Sequence, residues 1–138
     1  MSKLAPGTYI IVNRVLSPED EMLAITFNGQ GKTATVTPTT AASGAQRWVI
    51  KDYDAKTQYV TPADAPGLQA AWGSGVVTVL PAGGYVWTIR KTDEGYTIQD
   101  GGVTQFWGLD VAHPKSPVTI GAGTATLNEK QRWLFDKA

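Results

Sequence analysis

The sequence has no cysteine and a single histidine, His113. Disulfide scaffolds, thiol catalysis and Cys/His zinc cages are therefore excluded, and a Ser/His triad would have one base to draw on. Charge of either sign is not in excess: twelve Lys and Arg balance twelve Asp and Glu. No net field attracts a polyanion or an anionic membrane surface, so nucleic acid is not an expected partner. No apolar run approaches the length of a membrane span, and Met1-Ser2-Lys3-Leu4-Ala5-Pro6-Gly7 has no apolar stretch like that of a secretory leader. The asparagines at 13, 28 and 128 are followed two residues on by Val15, Gln30 and Lys130, so no N-glycosylation acceptor occurs. The expectation is a cytoplasmic protein without signal peptide, cofactor or membrane insertion.

Helical periodicity is also missing. Fifteen glycines and eight prolines punctuate the chain, and no stretch of a dozen residues carries apolar positions at helical spacing free of them. What is present is a set of short runs rich in Val, Ile, Thr and aromatics, at 8–12, 23–27, 33–37, 48–51, 58–61, 68–72, 76–80, 86–90, 96–99, 105–109, 118–120 and 133–135. These twelve candidate strands predict an all-β fold. With 138 residues, 42% hydrophobic and 17% charged, the chain suits one packed domain spanning 1–138.

The runs fall into three sets of four, repeats of about 6–52, 53–92 and 93–138. Each set opens on a tyrosine strand, at Tyr9, Tyr59 and Tyr96. Each second strand ends near a large aromatic with a glycine beyond it: Phe27 with Gly29, Trp72 with Gly73, Trp107 with Gly108. Each set closes on a tryptophan, in Gln46-Arg47-Trp48, Tyr85-Val86-Trp87 and Gln131-Arg132-Trp133, spaced 39 and 46 residues apart. Propellers share such a period but usually need four to eight blades to close. Three four-stranded units predict a β-trefoil, six strands forming a barrel and six forming hairpins that cap one end.

The closing indoles have a structural role to fill. A tryptophan placed once per repeat contributes on the order of a few kcal/mol by burial, and the Gln amide can satisfy nearby backbone groups. Tyr9, Tyr59 and Tyr96 are expected to serve the core likewise. The second repeat departs from the pattern, with Tyr85 where the others have Gln46 and Gln131. An extra aromatic at a broken repeat position marks a candidate site. Indole and phenol rings offer flat apolar faces on which the C–H groups of a ligand can pack. The turn Pro81-Ala82-Gly83-Gly84 lets a ligand approach the backbone.

The run Gly7-Thr8-Tyr9-Ile10-Ile11-Val12-Asn13-Arg14-Val15-Leu16-Ser17-Pro18 resembles the mushroom fruiting-body β-trefoil lectins of ricin-B-like type, among them a Coprinopsis lectin for the fucosylated chitobiose core of N-glycans. So do Ala71-Trp72-Gly73-Ser74-Gly75, Leu80-Pro81, Tyr85-Val86-Trp87-Thr88 and Tyr96-Thr97-Ile98-Gln99-Asp100-Gly101. The resemblance covers nearly the whole chain. It implies a carbohydrate-binding lectin for α1,3-fucosylated N-acetylglucosamine, stored in fungal cytoplasm as a defence toxin. It places the site on the second repeat, with aromatic and apolar contacts at Tyr53, Trp72 and Leu80 and at Tyr85, Val86 and Trp87. Two polar positions differ: Gly84 stands where the family has Asn, and Gly102 where it has Lys, while Thr104 retains the neighbouring threonine. The Gly84 backbone N–H is left as the donor at its position. Trp72 and Tyr85 are the expected anchors.

Other signals are weaker. Gly31-Lys32-Thr33 echoes a phosphate-binding loop, but Thr26 sits where the leading Gly is required and no helix follows. Glu19-Asp20-Glu21 reads as a solvated loop, and Asp52 with Asp54 lacks the clustered carboxylates of a calcium loop. No nucleophile and base can be picked out, so catalysis is not expected. The competing reading from another class is a trefoil protease inhibitor presenting an exposed loop, at 28–32 or 110–116.

Overall fold

In the computed structural model, which describes residues 3–39, 44–123 and 128–138, the short β-rich runs form twelve strands. In the first third of the chain these are β1 (Gly7–Asn13), β2 (Leu23–Thr26), β3 (Thr35–Pro38) and β4 (Trp48–Asp52). The second contributes β5 (Gln58–Pro62), β6 (Leu68–Trp72), β7 (Val77–Pro81) and β8 (Trp87–Thr92). The third contributes β9 (Gly95–Asp100), β10 (Phe106–Gly108), β11 (Thr119–Gly121) and β12 (Trp133–Lys137).

Six of these close on themselves. Antiparallel pairing runs from β1 to β4, β5, β8, β9 and β12, and β12 returns to β1. Closure leaves the barrel no free edge. The remaining strands make three hairpins, β2–β3, β6–β7 and β10–β11. Where the hairpins meet, a triangle of backbone bonds closes: Ala34 N–H to Val77 O, Val77 N–H to Val118 O, and Val118 N–H to Ala34 O, each 2.9 Å. Such a triangle requires the three repeats to surround a common pseudo-threefold axis. The fold is the β-trefoil that the repeat count predicts.

Alternation along the strands explains which residues fill the interior. Tyr9 and Ile11 of β1, Trp48 and Ile50 of β4, and Trp87 and Ile89 of β8 are buried, with Val60, Ile98 and Trp133 from the other barrel strands. Tyr9 is buried as expected, its hydroxyl donating to Ala5 O at 2.7 Å. Tyr59 and Tyr96 are half-buried and pair edge-on with Tyr53 and Phe135, and Tyr96 packs against the core from its margin.

Candidate carbohydrate-binding site

The three closing tryptophans align the repeats. Each is fully buried, and each indole N–H donates to a carbonyl on the second strand of its own repeat: Trp48 to Ile25 at 2.8 Å, Trp87 to Ala70 at 2.9 Å, Trp133 to Trp107 at 3.0 Å. The hairpin registers agree, pairing Ile25 with Val36, Ala70 with Val79 and Trp107 with Ile120. Two residues beyond each acceptor stand Phe27, Trp72 and Leu109. The third-repeat counterpart of Trp72 is therefore Leu109, and Trp107, 1% exposed, is a core residue at the level of Ile25 and Ala70. Matching the large aromatics by sequence sets the third repeat two residues out of step.

At this shared position the lobes differ. Phe27 packs against the core and Leu109 is 3% exposed, whereas Trp72 is 48% exposed. The segment before the closing tryptophan differs in step with this. In the first and third lobes it is a 3₁₀ turn, Gly44–Gln46 and Glu129–Gln131, and the glutamine is buried. Gln46 Nε2 donates to Pro38 O at 3.0 Å and to Thr37 Oγ1, and Gln131 Nε2 donates to Ala122 O at 3.0 Å. In the second lobe Tyr85 occupies the glutamine position and no 3₁₀ turn forms. The loop is held from the opposite side instead: Gln69 Oε1 accepts the amides of Gly83 at 3.3 Å and Tyr85 at 3.2 Å. Between them Gly84 adopts φ of +83°, a conformation that favours glycine, and its N–H donates to no acceptor among the described residues.

The Tyr85 ring lies over Gly83, where an added Cβ would stand 3.1 Å from Cε2. It meets Trp72 edge-on, centroids 5.1 Å apart at 85°. Trp72 meets Trp87 at 5.5 Å and 76°, and Trp87 meets Trp107 at 4.8 Å and 79°. Four rings thus run from the surface into the core, and each contact of this geometry adds about 0.5–1.5 kcal/mol beyond area burial. Trp72 is exposed yet braced.

Beside it lies a groove of about 460 Å³. One wall is Trp72, Gly73, Val86 and Trp87 from the second lobe; the other is Asp100 at the end of β9 with Gly101, Gly102 and Gln105 of the β9–β10 loop in the third, and Ile120 also contributes. Asp100 builds the second wall. Its Oδ1 accepts the amides of Thr104 at 2.7 Å and Gln105 at 3.0 Å, and its Oδ2 accepts the Thr104 hydroxyl at 2.7 Å. Partial burial pushes the carboxyl upward, but these amides and the hydroxyl outweigh it and hold the pKa below the usual carboxylate range.

The structure brings together most of the residues picked out by sequence. Trp72, Val86 and Trp87 line the groove, Tyr85 and Gly84 belong to the loop bordering it, and Thr104 is bound to Asp100 on the facing wall. Leu80 and Tyr53 are not among the groove's lining residues. Leu80 stands on β7 opposite Gln69, and Tyr53, 58% exposed, stands edge-on to Tyr59 at 5.4 Å. Sequence reasoning missed Asp100, Gln105 and Ile120; the turn signal Asp100-Gly101-Gly102 after a strand points to the first two, while Ile120 arrives through tertiary packing alone. Asp52 pairs with Lys3 Nζ at 3.2 Å, and Asp54 Oδ1 accepts the amides of Lys56 and Thr57, so both serve structure. No cluster of three or more metal-ligating side chains occurs among the described residues.

A pseudo-threefold trefoil carrying an exposed, braced indole over a groove has the organisation of a lectin-like β-trefoil. Residues 7–133 match the family described as CCL2 lectin-like, and the chain belongs to that family. No curated protein sequence matches it. Among solved structures, a mosquitocidal holotoxin is similar, with a TM-score of 0.83 and 19% identity over 98% of this chain, which spans 18% of the holotoxin chain. The ricin B-like lectin of Macrolepiota procera, solved in complex with lactose, has a TM-score of 0.73 and 16% identity over 99% of this chain and 100% of its own. A proteinase inhibitor from Coprinopsis cinerea gives 0.74 and 16% over 98% and 99%. At these identities the structural likeness speaks for the fold.

Proposed function

We propose that the protein is a lectin that binds glycans through the groove of the second lobe. We propose as its ligand fucosylated N-acetylglucosamine in the α1,3-fucosylated chitobiose core of N-glycans. Its role on this reading is a defence toxin of the fungal cytoplasm that performs no catalysis. The observation that carries the reading is the half-exposed Trp72, held by Tyr85 and Trp87 beside a groove whose second wall presents the Asp100 carboxylate and a Gln side chain. A platform already ordered in the free protein loses little rotamer freedom on stacking a sugar. Membership of a lectin-like family supports glycan binding.

Calorimetric titration with fucosylated chitobiose and with unmodified chitobiose tests the ligand. The fucosylated sugar should bind at least about tenfold tighter, a difference of about 1.4 kcal/mol. Equal affinities would remove fucose from the assignment, and a glycan array without a hit would remove the lectin reading.

The inhibitor reading draws on the Coprinopsis cinerea neighbour of the same fold. Its candidate loops are not extended. Gly29 and Gly31 have φ of 120° and 77°, Lys115 has φ of 70°, and Gly31 and Lys115 bond back to Val79 O and Val36 O at 2.7 Å. A protease needs an extended segment, so trypsin and papain should be unaffected by the protein; inhibition of either at stoichiometric concentration would reverse the preference.

A further inference from the structure

Among the described residues, those facing the groove carry one charged side chain, Asp100, and no cationic one. We propose that the groove selects uncharged saccharides and rejects those bearing a carboxylate, sulfate or phosphate, with Asp100 as the discriminating residue and Gln105 as the side chain that reads hydroxyls. The inference rests on the glycan-binding reading and names the chemical class that the site accepts.

A carboxylate offers about four acceptor positions. Three are taken at Asp100, two at Oδ1 by the amides of Thr104 and Gln105 and one at Oδ2 by the Thr104 hydroxyl. The remaining position belongs to Oδ2, the oxygen that a Cβ added to Gly102 would face at 3.5 Å. It can take a sugar hydroxyl, whereas an anionic substituent would meet a fixed like charge in a partly desolvated wall. Protonation does not relieve this repulsion near neutral pH, since the same hydrogen bonds favour the ionised form. Gly102 supplies no side chain that would neutralise it. Gln105 commits its backbone amide to Asp100 but makes no side-chain hydrogen bond among the described residues, leaving one acceptor and two donors directed to solvent at the groove wall.

The test uses a matched pair of probes, fucosylated chitobiose and the same trisaccharide with a 6-O-sulfate, titrated at low salt. The sulfated probe should bind at least about tenfold more weakly, and the ratio should shrink at high ionic strength. Asp100→Asn keeps an acceptor for both amides and removes the charge, so the ratio should fall toward one. Gly102→Lys places a cation beside Oδ2 at a position with room for a side chain and should bring the same change, an independent check if Asp100→Asn fails to fold. Equal binding of both probes to the unaltered protein, or a ratio unmoved in either folded variant, overturns the charge discrimination alone. Binding of neither probe, together with a glycan array without a hit, overturns the inference and the lectin reading alike.

Discussion

The second and third lobes share a backbone plan and differ in what they do with the position two residues past the indole's acceptor. In the third lobe Leu109 is covered, and the cavity there, about 330 Å³, is lined by polar groups such as Asp110, Thr119, Asn128 and Gln131, with no aromatic among the described residues. In the second lobe Trp72 stands open beside a groove with an aromatic and apolar wall. The exchange of a buried Gln for Tyr85 accompanies this contrast: the 3₁₀ turn is absent, Gln69 holds the loop from β6, and the Tyr ring braces an indole that the other lobes do not have. An exposed aromatic face can thus go with the loss of one structural contact in one repeat of a symmetric fold.

Several variants would break or sharpen this contrast. Trp133→Ala removes a fully buried indole from the third lobe and should cost about 3–5 kcal/mol of stability, read by denaturant unfolding; Trp48→Ala should behave alike, since its environment repeats. Trp72→Ala should cost about 2 kcal/mol in glycan affinity, close to thirtyfold, with less effect on unfolding than either core variant because about half the side chain already meets water. Tyr85→Gln installs the residue of the other lobes; affinity should fall about tenfold by calorimetry as the edge-on brace on Trp72 is lost.

The smallest effect concerns pH. Asp100 has a folded pKa below its ordinary value of 3.8, so its contribution to stability is present above that value and lost as pH falls through the folded one. Unfolding of the unaltered protein and of Asp100→Asn, compared from pH 7 down to pH 2, should converge at the acid end. A constant difference across that range would remove the hydrogen-bonded carboxylate as its cause.

Much of the architecture is legible in the sequence because the repeat is written in residues with fixed structural duties. The Gln-x-Trp closures, the β-branched runs and the breakers between them each report a local requirement, and Tyr85 is conspicuous because its two counterparts are identical. Trp107 misleads for the opposite reason. An aromatic followed by glycine looks alike in β6 and β10, but register is set by a tertiary bond from Trp133 to the Trp107 carbonyl, which no local pattern encodes. The far wall of the groove comes from another lobe, so Asp100, Gln105 and Ile120 join Trp72 only when the barrel closes. Tyr53 and Leu80, carried over by resemblance, stand outside the groove lining: Tyr53 lies in the β4–β5 loop against Tyr59, and Leu80 on β7 opposite Gln69.

The proposed role of Trp72 as the sugar platform is tested most directly by following the indole N–H signals of the five tryptophans in an ¹H–¹⁵N spectrum while fucosylated chitobiose is added. With assignment by Trp72→Phe, the Trp72 signal should shift most, while those of Trp48 and Trp133, bonded inside the other two lobes, stay in place. A saturating titration that leaves the Trp72 signal unmoved while binding is registered by calorimetry would contradict it.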